Sequence, residues 1–122
     1  MDRVPVRVLI VDDHPAFRAA ARELLHGRGY AVVGEAGCAA SAVDAGLRLE
    51  PDAVLLDIRL GDASGFEVAW ALGRACPRAA VLLVSSQDYG CCRERLRFSG
   101  ACGFLLKSQL ASVDLTEYWP AP

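Results

Sequence analysis

Val8-Leu9-Ile10-Val11-Asp12-Asp13-His14-Pro15 is the stretch whose reading decides the fold. Four apolar residues in a row show no alternation, as expected of a strand covered on both faces of a sheet. Two carboxylates follow at once. A helical pattern then opens at Pro15, with Phe17, Ala20, Ala21, Leu24 and Leu25 on one stripe and Gly27 and Gly29 ending it.

The same unit recurs outward from there. Residues 30–36 read as a weaker strand, polar at Glu35 as an edge strand is, and residues 39–49 as a helix stopped by Pro51. Residues 53–56 form a third apolar run. Ser64-Gly65-Phe66-Glu67 has the form of a capping box opening a helix to about Cys76. Residues 80–84 are a fourth strand, and Asp88 is the expected N-cap of a helix to Phe98 stopped by Gly100. Residues 103–106 are the fifth strand, and residues 112–119 allow about two helical turns before Pro120. Strand–helix units at this spacing predict an α/β fold, a doubly wound five-stranded parallel sheet with helices on both faces.

The 122 residues, with 53% hydrophobic content and a net charge of −2, are expected to form one domain over residues 1–122. No apolar run approaches the roughly 18 residues of a membrane span. The absence of a basic block argues against a nucleic-acid surface on this domain. Five cysteines, odd in number and without a C-x-x-C spacing, read as reduced thiols of a cytoplasmic protein.

Chemistry concentrates where the strands end. The first run closes on Asp12-Asp13, the third on Asp57, the fourth on Ser85-Ser86 and the fifth on Lys107, the only lysine. In a parallel sheet these carboxyl ends share one edge, where ligands bind. Clustered carboxylates repel one another unless a cation lies among them, and hard oxygen donors favour Mg²⁺. Lys107 offers charge to phosphoryl oxygens, Ser85 offers a hydroxyl, and an aspartate can act as nucleophile. The set suits phosphoryl transfer onto a protein carboxylate.

The sequence resembles the receiver domain of two-component response regulators over nearly its whole length. The resemblance rests on Val11-Asp12-Asp13-His14-Pro15, Leu56-Asp57-Ile58-Arg59-Leu60, Gly65-Phe66-Glu67, Val84-Ser85-Ser86 and Gly103-Phe104-Leu105-Leu106-Lys107. The Asp-Asp-His-Pro opening and Leu105-Leu106-Lys107-Ser108 most resemble receivers of the NarL type, which are usually attached to a helix-turn-helix domain. The resemblance implies a flavodoxin-like strand order 2-1-3-4-5. It also implies Asp57 as phosphoacceptor, Mg²⁺ held by Asp13, Asp57 and the Arg59 backbone carbonyl, and Asp12 contributing through water. Lys107 would grip the phosphoryl group, Ser85 would hydrogen-bond it, and Phe104 would be the aromatic that turns inward as Ser85 moves. His14 is expected to be structural or solvent-facing.

The implied partners are a sensor histidine kinase or phosphotransfer protein, an output protein the sequence does not specify, and, on phosphorylation, a second copy. Such a domain is not a conventional enzyme; it assists its own Mg²⁺-dependent phosphorylation and dephosphorylation. The leading reading is a stand-alone phospho-receiver. The alternative is the receiver half of a transcription regulator whose helix-turn-helix lies outside this chain. A small phosphatase needs a second acid two residues after Asp57, where Arg59 stands, and a flavin carrier needs a hydroxyl- and glycine-rich loop after the first strand.

Departures from the family pattern carry expectations of their own. Gly61 replaces a common proline, predicting a more mobile loop. Ser108 replaces another, and the cost of a cis bond before a non-proline residue, about 2.5–4 kcal/mol, favours a trans Lys107–Ser108 bond. Arg59 is expected to shield the phosphoryl group or pair with Asp62, and Gln87 to orient water. The last helix is shortened and ends in an exposed Tyr118-Trp119.

Overall fold

A computed structural model describes residues 4–87 and 92–122. β1 (Arg7–Val11), β2 (Ala31–Ala36) and β3 (Ala53–Asp57) alternate with α1 (Pro15–Gly27) and α2 (Ala39–Leu49). β4 (Arg59–Leu60) and β5 (Ala63–Ser64) form a small antiparallel hairpin ahead of α3 (Gly65–Ala75). β6 (Ala80–Ser85), α4 (Arg93–Ser99) and β7 (Gly103–Leu106) complete the alternation. The main sheet is parallel throughout, in the order β2-β1-β3-β6-β7. Its fourth and fifth strands are β6 and β7, so this is the 2-1-3-4-5 arrangement expected.

The apolar runs sit as their lack of alternation requires. Val8 and Ile10 point to one face with Leu25, Leu55 and Leu82, while Leu9 and Val11 point to the other with Leu56, Leu72 and Leu83. The first face is covered by α1 and the C-terminal segment, the second by α2, α3 and α4. β2 is an edge strand, and its Glu35 holds α1 down by accepting from Arg18 Nε at 3.1 Å and Arg22 Nε at 2.8 Å.

Four expectations are corrected. The fourth helix begins at Arg93 rather than Asp88, which lies outside the described residues; its stop is as expected, with Gly100 at φ 75°. Ser64 caps α3 by accepting from Phe66 N–H at 3.2 Å, but Glu67 does not close the reciprocal bond and lines a groove between α3 and α4 instead. The chain after Asp57 is the β4–β5 hairpin, tied at its tip by the Asp62 carboxylate, which accepts from Ala39 N–H at the start of α2. Asp62 is therefore committed to a helix N-terminus and not to Arg59.

The largest correction is at the C-terminus. No α-helix forms there; two short 3₁₀ turns, Lys107–Gln109 and Leu115–Glu117, carry the chain over the sheet. Asp114 starts the second by accepting from Thr116 N–H at 3.0 Å, local bonding that competes with a continuous helix. Trp119 is not exposed but 2% accessible, packed edge-on against Tyr30 with ring centroids 5.6 Å apart. Leu110, Leu115 and Trp119 fill the part of the first face that α1 leaves open, and burying them outweighs helix formation. The Tyr30 hydroxyl and Trp119 indole N–H are buried there without hydrogen-bond partners among the described residues. All described peptide bonds are trans, Lys107–Ser108 included.

Candidate functional site

Asp57 ends β3, a central strand, which buries its side chain; it is 3% exposed. Its Oδ1 accepts from Arg59 N–H at 3.2 Å, and its Oδ2 lies 3.5 Å from Lys107 Nζ. Burial pushes the Asp57 carboxyl above its ordinary value of 3.8, opposed by the Arg59 N–H; the Asp12 charge adds to the rise and Lys107 counters it. Gly65 allows this packing. A Cβ there would collide with the Asp57 carbonyl and sit 2.5 Å from Ile58 Cα, and the Gly65 N–H donates to Ile58 O at 2.6 Å.

The end of β1 supplies the acidic pair. Asp12 is fully buried; its Oδ2 meets Lys107 Nζ at 2.7 Å as an ion pair without hydrogen-bond alignment, and its Oδ1 accepts from His14 N–H at 2.8 Å. Asp13 is partly exposed, and its Oδ1 lies 2.9 Å from His14 Nδ1. Arg18 Nη1 donates to the Asp12 carbonyl at 2.5 Å, fixing the turn from below. Lys107, at the end of β7, spans Asp12 and Asp57 with its ammonium 4.2 Å from the centre of the Phe17 ring. One donor atom from each of Asp12, Asp13, His14 and Asp57 lies within 4.8 Å of the others.

A pocket of about 440 Å³ opens above these groups, with Asp13, His14, Asp57, Arg59, Ser86 and Lys107 among its walls. Asp12, Asp13, Asp57 and Lys107 thus converge. Ser85 does not line the pocket: it is buried, and its Oγ accepts from Gln87 N–H at 3.1 Å. The hydroxyl residue on the pocket wall is Ser86. Phe104, opposite Leu83 in the β6–β7 register, faces a cavity of about 40 Å³ under α4 shared with Phe66, Cys92 and Leu96. Sequence reasoning missed two contributors. Ser86 was legible only as a neighbour of Ser85. His14, expected to be structural or solvent-facing, is 66% exposed in its side chain yet bridges both acids, placed there by directly following them.

A parallel sheet with an acidic crevice and one lysine at its carboxyl edge defines the receiver class of α/β domain. The sequence matches the response regulator receiver domain over residues 8–118, and the chain belongs to that family. It is 39% identical over 115 residues to the nitrate/nitrite response regulator protein NarP of Escherichia coli, covering 93% of this chain and 54% of that protein. It is 32% identical over 103 residues to the response regulator GacA of Pseudomonas aeruginosa, covering 84% and 48%. The chain spans about half the length of these curated relatives. The receiver domain of the putative response regulator NarL of Mycobacterium tuberculosis superposes with a TM-score of 0.80 at 36% identity, covering 95% of this chain and 91% of that one. A LuxR-family response regulator from Aurantimonas gives 0.82 at 31% identity, covering 89% and 79%. The NarL-type resemblance stands. No helix among the described residues is long and apolar enough to cross a membrane.

Proposed function

We propose that Asp57 is the phosphoacceptor of this receiver. The observation that carries the reading is its placement: a buried carboxylate between the Lys107 ammonium and the Asp12-Asp13 pair, at the mouth of an open pocket. An Asp57 oxygen attacks phosphorus, the bond from phosphorus to the donor's histidine nitrogen breaks, and the donor leaves with its electron pair. Lys107 neutralises the phosphoryl oxygens as they arrive. Ser85 would hydrogen-bond the attached group after releasing Gln87 N–H, and Phe104 has the small cavity under α4 beside it to move within.

The clustered carboxylates fit a Mg²⁺ ion: hard oxygens from Asp13 and Asp57, with Asp12 behind them, to which the family resemblance adds the Arg59 backbone carbonyl. When bound, the ion supplies charge neutralisation that lets several carboxylates stay ionised beside a phosphoryl group. The phosphoryl donor is a histidine kinase or phosphotransfer protein, and the domain works in the cytoplasm. The relatives named as transcriptional regulators, of which the matched part is half, favour the reading in which the receiver controls a transcriptional output carried outside this domain.

Intact-mass measurement after incubation with acetyl phosphate and Mg²⁺ tests the assignment. One phosphoryl group should add to wild type, and none to Asp57→Ala or in the presence of chelator. Unchanged labelling of Asp57→Ala would move the acceptor to Asp12 or Asp13.

A further inference from the structure

α3 and α4 enclose an open trough of about 590 Å³ on the face away from the C-terminal segment, with Phe66, Trp70, Ala71 and Phe98 along it. Trp70 is 55% exposed and Phe98 79%, a concentration of apolar surface the fold does not require for its own core. The walls are tied together. Arg95 of α4 lies over the Phe66 ring at 4.6 Å and donates to Ser64 Oγ, the cap of α3, at 3.3 Å. Arg74 lies over the Trp70 ring at 5.1 Å. The trough is therefore preformed rather than a gap awaiting collapse.

Basic residues outnumber acidic ones on the two helices. α3 and α4 carry Arg74, Arg93, Arg95 and Arg97 against Glu67 and Glu94, on a chain whose net charge is −2; Arg95 and Glu67 line the trough itself, and Arg74 lies over its Trp70 ring. None of these four arginines pairs with a carboxylate among the described residues, so their charge is available to a ligand. Guanidiniums stacked on rings keep N–H edges free for carboxylates. A concave apolar floor between two helices accepts a third helix laid along it, with anchors every three to four residues. A flat membrane surface would reach Phe98 but not the floor.

We propose that the α3–α4 trough is a docking site for an acidic amphipathic helix of a partner protein, its apolar stripe on Phe66, Trp70 and Phe98 and its carboxylates on Arg74 and Arg95. The site lies apart from the acidic pocket, and the proposal does not rest on phosphorylation of Asp57.

Trp70 is its own reporter, since Trp119 is buried on the opposite face. Unphosphorylated protein is titrated with a synthetic peptide of about four helical turns, leucines at helical spacing and glutamates between, and with its lysine twin. The glutamate peptide should give a saturable blue shift of Trp70 emission and bind at least tenfold tighter than the twin. Phe98→Ala, exposed and outside the core, should weaken it at least tenfold, and Arg95→Glu should reverse the preference. Equal binding of the two peptides, or no effect of Phe98→Ala, overturns the proposal. So does a shift produced only by anionic phosphatidylglycerol vesicles, or by raising the protein concentration alone, which would assign the face to a membrane or to a second copy.

Discussion

Truncating Trp119 measures how firmly the C-terminal segment holds the sheet. The indole is 2% exposed and stacks edge-on with Tyr30, so Trp119→Ala removes a whole buried ring and its aromatic pair. Such truncations cost about 3–5 kcal/mol. The indole N–H has no partner, however, and removing a buried unpaired donor recovers about 1 kcal/mol or more. The net loss is then about 2–4 kcal/mol, or roughly 8–16 °C in Tm at about 4 °C per kcal/mol for a domain of this size. Trp119→Phe keeps a ring, discards the orphaned donor, and should cost about 1 kcal/mol or less. Trp70→Ala, half exposed, should stay within about 1 kcal/mol of wild type. Urea unfolding followed by circular dichroism reads all three. If Trp119→Ala and Trp70→Ala were equally mild, the segment after Lys107 would not be part of the core and the packing argument would fail.

Asp57 makes stability pH-dependent with a definite sign. Its raised carboxyl costs nothing while protonated, begins to cost as pH rises past the ordinary 3.8, and costs fully above its folded value. Asp57→Asn should therefore be more stable than wild type at pH 7 in chelator, the gap closing toward pH 4; a gap that widens on acidification contradicts the burial account. Mg²⁺ at about 10 mM, for a Kd of about 1 mM, should stabilise wild type by about 1.4 kcal/mol in thermal unfolding and stabilise Asp13→Ala much less. Equal gains would remove Asp13 from the ligand set. Arg59 stands at the pocket wall without an ion pair among the described residues, so Arg59→Ala should shorten the phosphorylated lifetime several-fold by opening the approach of water. Gln87→Ala should lengthen it, and decay followed by intact mass in excess Mg²⁺ checks both.

The sheet was legible because its strands are buried on both faces, which leaves uninterrupted apolar runs such as residues 8–11 and 53–56. The site followed from the same fact: parallel strands end on one edge, so Asp12, Asp13, Asp57 and Lys107 were bound to meet. Elements governed by a few local bonds were not legible. β4 and β5 have two residues each, too short for any period, and exist because Gly65 brings the chain back onto Ile58. The C-terminal segment has the apolar content of a helix, but Asp114 and the open sheet face decide its path together. His14 bridges two acids by a geometry of the β1–α1 turn that spacing alone does not reveal.

That return of the chain at Gly65 has an engineering consequence. Residues 58 and 65 are clasped by a hydrogen bond and a contact too close for any side chain at 65, so the hairpin between them is a closed loop hung on a fixed base. Lengthening a loop whose ends are already held adds only about 0.6 kcal/mol for each doubling of its length. The tip at Gly61 is thus a place where foreign residues can be grafted over the acidic pocket at little cost to the sheet, provided Asp62 keeps its hold on Ala39 N–H, while a side chain at position 65 would collide with the backbone. A biosensor built on this scaffold would take its new recognition loop there.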